Sequence, residues 1–182
     1  MRVAMFLENG YEEGEAIVTA DLLKRANIIV DLISVSNKEV TSCNRFNIKI
    51  DINFDRANYQ DYQAFILPGG WDQVINLKKS KKLKEWLTNA NKEQKIIAAI
   101  CAGPMVLAEF GLLNDKEYTI YPSCLEAVKK IGKINNKLPV IMDGNIITSP
   151  SLGCVFPFAL KLVEKIHSKN RRLEMENNLL FR

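Results

Sequence analysis

The sequence predicts an α/β fold, a mostly parallel sheet with helices on both faces, and three observations predict it. Apolar runs of strand length recur along the 182 residues, helix-spaced segments separate them, and one run stops at a cysteine followed by small residues. Length, 47% apolar residues and a net charge of +4 describe one globular domain spanning 1–182.

The strand-like runs fall at 3–7, 28–33, 65–67 and 96–100. Between the first two, residues 15–26 carry Val18, Leu22 and Leu23 on one side and end in Lys24 and Arg25, where cations complement a helix dipole. This reads as the first crossover helix. Residues 47–52 alternate with period two, as does part of 140–148 around the turn signal Asp143-Gly144, so both are expected as antiparallel additions at sheet edges. Lys78, Lys79, Lys81, Lys82 and Lys84 surround Leu83, Trp86 and Leu87, the pattern of a solvated helix face over a buried stripe. Phe156, Ala159, Leu160, Val163 and Ile166 form the stripe of a late helix that tolerates Pro157 in its first turn. The segment 173–181 ends apolar and either caps the core or docks onto a second subunit.

Several classes are disfavoured. Residues 1–8 are too short in apolar length for a signal h-region of roughly 7–15 residues, and no run approaches the roughly 18 of a membrane span. A cytoplasmic protein without membrane association is expected. The low net charge and scattered acids argue against nucleic acid. Cys43, Cys101, Cys124 and Cys154 are widely spaced and accompany a single histidine, so no metal site is read from them and reduced thiols are expected.

The richest segment for chemistry is Ala98-Ala99-Ile100-Cys101-Ala102-Gly103-Pro104, a buried-type strand that turns at the cysteine into a helix. Such an elbow presents its apex at the carboxyl edge of a parallel sheet, where open α/β folds hold ligands. A thiol there meets a helix N-terminus and backbone amides, which favour the thiolate. Cys101 is thus a candidate low-pKa nucleophile, although a small core residue also suits the position. Leu67-Pro68-Gly69-Gly70 ends another strand in a turn whose amides can approach an anion, or is only a tight connection. The first loop, from Glu8 to Glu15, holds four acids, most of them expected in solvent and one able to point inward to the other strand ends. A carboxyl beside a thiolate must keep its proton to donate a hydrogen bond. The lone His167 sits near the end of the last long helix, so a Cys-His triad is not expected.

These residues, Gly10-Tyr11-Glu12-Glu13-Gly14-Glu15, Leu67-Pro68-Gly69-Gly70 and Ala98 to Pro104 in this order, resemble the ThiJ/PfpI superfamily, specifically its DJ-one branch. The resemblance implies a flavodoxin-like sandwich, a homodimer, no cofactor, and Cys101 as an oxidation-sensitive nucleophile with protonated Glu15 touching its sulfur. It implies that the Gly69, Gly70 and Ala102 amides line a pocket for a small anion or carbonyl compound, with Arg25 close by. Cys43 and Arg45 match residues toward the family dimer interface. Tyr121 stands before Pro122 where relatives often carry histidine, and a phenol is a poor proton shuttle at neutral pH. Ala102 replaces the histidine that follows the nucleophile in the protease-like branch, which disfavours peptidase activity, and Thr148-Ser149-Pro150 lacks a following arginine. Three functions stay open: a redox responder in oxidative stress, a glyoxalase or deglycase that makes lactate from methylglyoxal or its adducts, and a redox-conditional chaperone.

Overall fold

The first strand, β1 (Arg2–Phe6), is a run whose side chains alternate between two apolar layers. Val3 and Met5 enter one, Ala4 and Phe6 the other, as the pleat requires of a strand buried on both faces. The computed structural model describes residues 1–35 and 38–181. Helix α1 (Glu13–Arg25) starts where Glu12 caps it, its carboxylate accepting the Glu15 N–H at 2.6 Å, and stops before Asn27, whose φ of 63° is the left-handed conformation common just past a helix end.

Strand β2 (Ile29–Ser34) lies parallel to β1. Next come β3 (Glu39–Thr41), β4 (Asn47–Lys49) and β5 (Ile52–Asn53). Here the sequence expectation is corrected. The period-two run 47–52 is not one edge strand: β4 pairs antiparallel with β3 in a separate ribbon, whereas β5 joins the main sheet parallel to β2. The chain changes partners between them because the Ile50 N–H bonds Lys38 O while the Asp51 N–H bonds Leu32 O and its carboxylate accepts the Leu32 N–H.

The chain continues through β6 (Ala64–Leu67), α2 (Trp71–Leu77), α3 (Lys81–Lys92), β7 (Ile96–Ile100) and α4 (Pro104–Glu109). The lysine-rich run belongs to α3 and the segment before it, and Leu83, Trp86 and Leu87 are buried as the spacing requires. Beyond lie β8 (Glu117–Tyr118), α5 (Leu125–Val128), β9 (Lys133–Ile134), β10 (Ile141–Asp143), β11 (Ile146–Ser149), α6 (Val155–Ile166) and α7 (Lys169–Asn178).

The main sheet runs β10-β11-β7-β6-β1-β2-β5, parallel except for the β10–β11 hairpin that the Asp143-Gly144 signal predicts. α1, α6 and α7 cover one face; α2, α3 and α4 cover the other. The terminal segment caps its own chain: Met175 is buried against the α1/α6 layer, the Arg171 guanidinium donates to Arg25 O, and Phe181 stacks on Phe156. Among the described residues no helix is long and apolar enough to cross a membrane.

Candidate active site

The parallel strands bring the loops after β1, β6, β7 and β11 to one edge of the sheet, and the sequence-predicted cysteine stands among them. Cys101 has φ 60°, a left-handed conformation that costs a non-glycine residue about 1–3 kcal/mol and that the surroundings over-determine. Its N–H donates to Ser149 O at 2.9 Å, its carbonyl accepts from the Tyr121 N–H at 3.0 Å, and the Gly103 N–H closes the turn on Ile100 O at 2.8 Å. The elbow is therefore pinned on both sides.

Glu15 arrives from the first turn of α1 and is 1% exposed. One of its oxygens, Oε2, accepts the Gly69 N–H at 2.8 Å, and the Cys101 thiol and the Leu152 backbone also act on the carboxyl. Gly69 explains how this carboxyl reaches the sulfur. A Cβ at that position would lie 2.6 Å from Glu15 Oε2, 2.7 Å from Cys101 Cβ and 3.1 Å from Sγ, so only glycine leaves room for both side chains to converge. Gly70, at φ 104°, lies with its Cα so close to Gly10 O that a Cβ would sit 2.1 Å away.

Burial is the largest influence on both titrating groups. It pushes the Glu15 carboxyl up to about 7, against the pull of the Gly69 N–H, with the Glu12 charge adding to the rise. It pushes the Cys101 thiol up as well, followed by the Glu15 charge and a hydrogen bond to Glu15, while the Ala102 N–H pulls the other way. The expectation of a thiol lowered by its helix is thus corrected. α4 is only six residues long, and a single amide does not offset burial beside a carboxylate. At neutrality the carboxyl therefore stands near the midpoint of its titration while the thiol keeps its proton.

Of the amides expected around an anion, that of Gly69 is committed to Glu15, that of Ala102 acts on Cys101, and that of Gly70 has no partner among the described residues. Tyr121 borders the site through its backbone and is 43% exposed. Arg25 is elsewhere. It lies ten residues along α1 from Glu15, about 15 Å at helical rise, pairs with Asp21 and bounds a hollow with Arg171 and Met175. Cys43 and Arg45 are exposed on the β3–β4 turn, where the Cys43 N–H holds Tyr11 O and its thiol meets Glu13. Of the other thiols, Cys124 is a buried core residue and Cys154 is partly exposed. His167 is exposed beyond the end of α6, in the surface position expected.

Of the first-loop acids, two rather than one turn inward. Glu8 is 4% exposed and accepts from Ser34 Oγ at 2.7 Å and from the Val35 N–H at 2.6 Å. Two buttressing residues escape sequence reasoning. Gln73 is wholly buried behind the Gly69-Gly70 turn, and Asn136 holds the segment leading to Tyr121, accepting from Thr119 Oγ1 and the Ile120 N–H and donating to Ile120 O. Neither lies in a periodic pattern or a motif.

Fold and site together define a flavodoxin-like α/β protein with a cysteine at a strand-to-helix elbow beside a buried glutamate. The chain belongs to the DJ-1/PfpI family, whose model matches residues 1–165. It is 33% identical over 178 residues to protein dj-1beta of Drosophila melanogaster, covering 97% of this chain and 95% of that one. The crystal structure of Drosophila melanogaster DJ-1beta matches with a TM-score of 0.94 at 31% identity, over 98% of this chain and 97% of that one. Oxidized DJ-1 of Toxoplasma gondii matches with a TM-score of 0.89 at 28% identity, over 99% and 98% of the two chains. A deglycase of Pyrococcus horikoshii is 28% identical over 149 residues, covering 82% of this chain and 89% of that one.

Proposed function

We propose that Cys101 is a reactive, oxidation-responsive thiol whose proton is taken by Glu15. The observation that carries this reading is the convergence of the buried Glu15 carboxyl and Cys101 on Gly69, with the carboxyl held by an amide and titrating at about 7. A base matched to neutral pH removes the need for a preformed thiolate. Sulfur attacks one peroxide oxygen, the O–O bond breaks, and the thiol proton leaves with the departing hydroxide as water, giving the sulfenic acid. A second peroxide converts this to the sulfinic acid with release of another water. The sulfinic acid passes its own proton to Glu15, which then donates it in a hydrogen bond to a sulfinate oxygen. Intact mass and peptide mapping after graded peroxide should show stepwise gain of one and two oxygens at Cys101 at doses that leave Cys43, Cys124 and Cys154 unmodified. Equal oxidation of all four thiols sinks the proposal.

The same proton-shuttling carboxyl supports a second reading, a cofactor-independent glyoxalase or deglycase. Sulfur adds to the aldehyde carbon of methylglyoxal, and Glu15 carries the thiol proton to the new alkoxide. Glu15 then moves the C1 proton to C2 through an enediol, and water hydrolyses the resulting thioester to lactate and free thiol. Purified protein should release lactate from methylglyoxal and Cys101→Ser should not. Equal release by both, or release by neither, removes this reading while leaving the peroxide chemistry standing.

A further inference from the structure

We infer that Gln73 is a positioning residue for the proposed Cys101–Glu15 site, a clamp that fixes which way the amides of the Gly69-Gly70 turn point. The inference rests on the reading of Cys101 and Glu15 as a working pair, and on three bonds made by a carboxamide with no solvent contact. Nε2 of Gln73 donates to Pro68 O at 2.8 Å and to Gly69 O at 3.1 Å. Its Oε1 accepts the Glu8 N–H at 2.9 Å, which ties the turn after β6 to the end of β1.

The consequence follows from peptide planarity. In a trans peptide the carbonyl and the next N–H point in opposite directions, and the described chain has no cis peptide. Drawing Pro68 O onto Gln73 turns the Gly69 N–H the other way, onto Glu15 Oε2. Drawing Gly69 O onto Gln73, where the Glu12 N–H also reaches it at 3.0 Å, likewise turns the Gly70 N–H away from Gln73 and leaves it without a partner among the described residues. Gln73 therefore sets the first amide, which holds the carboxyl, and shares with the Glu12 N–H the setting of the second, which is left for an incoming oxygen.

An ordinary helix cap does not account for this arrangement. Gln73 is the third residue of α2, where a capping glutamine would accept the N–H of the cap residue, Gly70. Its oxygen goes to Glu8 instead, and its nitrogen goes to carbonyls that precede the helix. Glycines at 69 and 70 are themselves free to rotate, so an external restraint has something to restrain.

Gln73→Met keeps the length of the side chain and removes all three of these bonds. Two readouts decide the matter. Amide hydrogen exchange at Gly69, measured on the folded variant, should accelerate at least tenfold. The pH midpoint of Cys101 alkylation by iodoacetamide should rise by about one pH unit, because Glu15 loses the amide that steadies its charge, while Cys43, exposed on another loop, alkylates as in the parent. Unchanged exchange, or an unshifted midpoint in a folded variant, overturns the clamp. Should Gln73→Met not fold, Gln73→Glu keeps the oxygen for Glu8 and cannot donate to both carbonyls, so the same two readouts apply. A parent whose Cys101 shows no midpoint near 7 overturns the acid–thiol pair itself, and exchange at Gly69 then still decides for or against the clamp.

Discussion

Glu15→Gln is expected to slow alkylation of Cys101 at pH 7 by about 100-fold, the lower range of what a positioned general base contributes. Two effects oppose each other in this variant. Losing a negative neighbour lets the thiol ionise more easily, and losing the base leaves its proton without a destination. Burial, the first cause of the raised thiol, is untouched by the substitution, so the thiol stays above its ordinary range and the second effect wins. The pH profile separates the two. The parent rate should rise to a plateau with a midpoint near 7, the value to which Glu15 is pushed, whereas the variant should show no inflection there and keep rising into the alkaline range. Equal or faster alkylation of Glu15→Gln at pH 7, with Cys43 as internal reference, would mean that the carboxylate only restrains the sulfur.

The same carboxyl should make the protein less stable as pH rises toward neutrality. Its folded value of about 7 exceeds the ordinary 4.5, so the folded state holds this proton more tightly than the unfolded chain. The stabilisation is complete below about pH 4.5 and is lost as pH climbs through 7, because over that window the folded state binds more protons. With the carboxyl almost wholly inside, the loss by pH 7 is about 3 kcal/mol, because a tenfold difference in proton affinity between folded and unfolded chains carries about 1.4 kcal/mol. Roughly 2 kcal/mol of this falls above pH 5, where the unfolded chain has already released most of its proton. Urea unfolding at pH 5 and pH 7 should therefore show the parent losing about 2 kcal/mol more than Glu15→Gln between the two conditions. Parallel stability curves for the two proteins would place the Glu15 carboxyl in water-like surroundings and remove its role as a neutral-pH base.

Much of the site was legible because its parts are short and contiguous. β7 is a single apolar run that ends at Cys101, and the small residues after it allow only a tight turn. The turn after β6 carries its glycines in the letters. What failed were distances along and between elements. Arg25 shares a helix with Glu15, yet the helical rise carries it to the far end of that helix. Residues 47–52 alternate without interruption, yet hydrogen bonds at Ile50 and Asp51 hand the chain from one sheet to another. Glu8 and Glu12 carry the same carboxyl as Glu15, and only packing places Glu8 against Ser34, Glu12 at a helix cap and Glu15 against the sulfur. The seven-residue α2 is too short to show periodicity, so its buried glutamine had no context in which to be noticed.

Sequence alone determined the layered α/β architecture, the elbow cysteine and the glycine turn facing it, because strand-length apolar runs and local turn chemistry act over a few neighbouring residues. Tertiary structure alone decided how the Glu15 carboxyl is held beside the thiol, which amides remain available and how far burial raises each group. Those properties depend on burial and on the charges brought near by distant segments, and a chain acquires both only when its layers close.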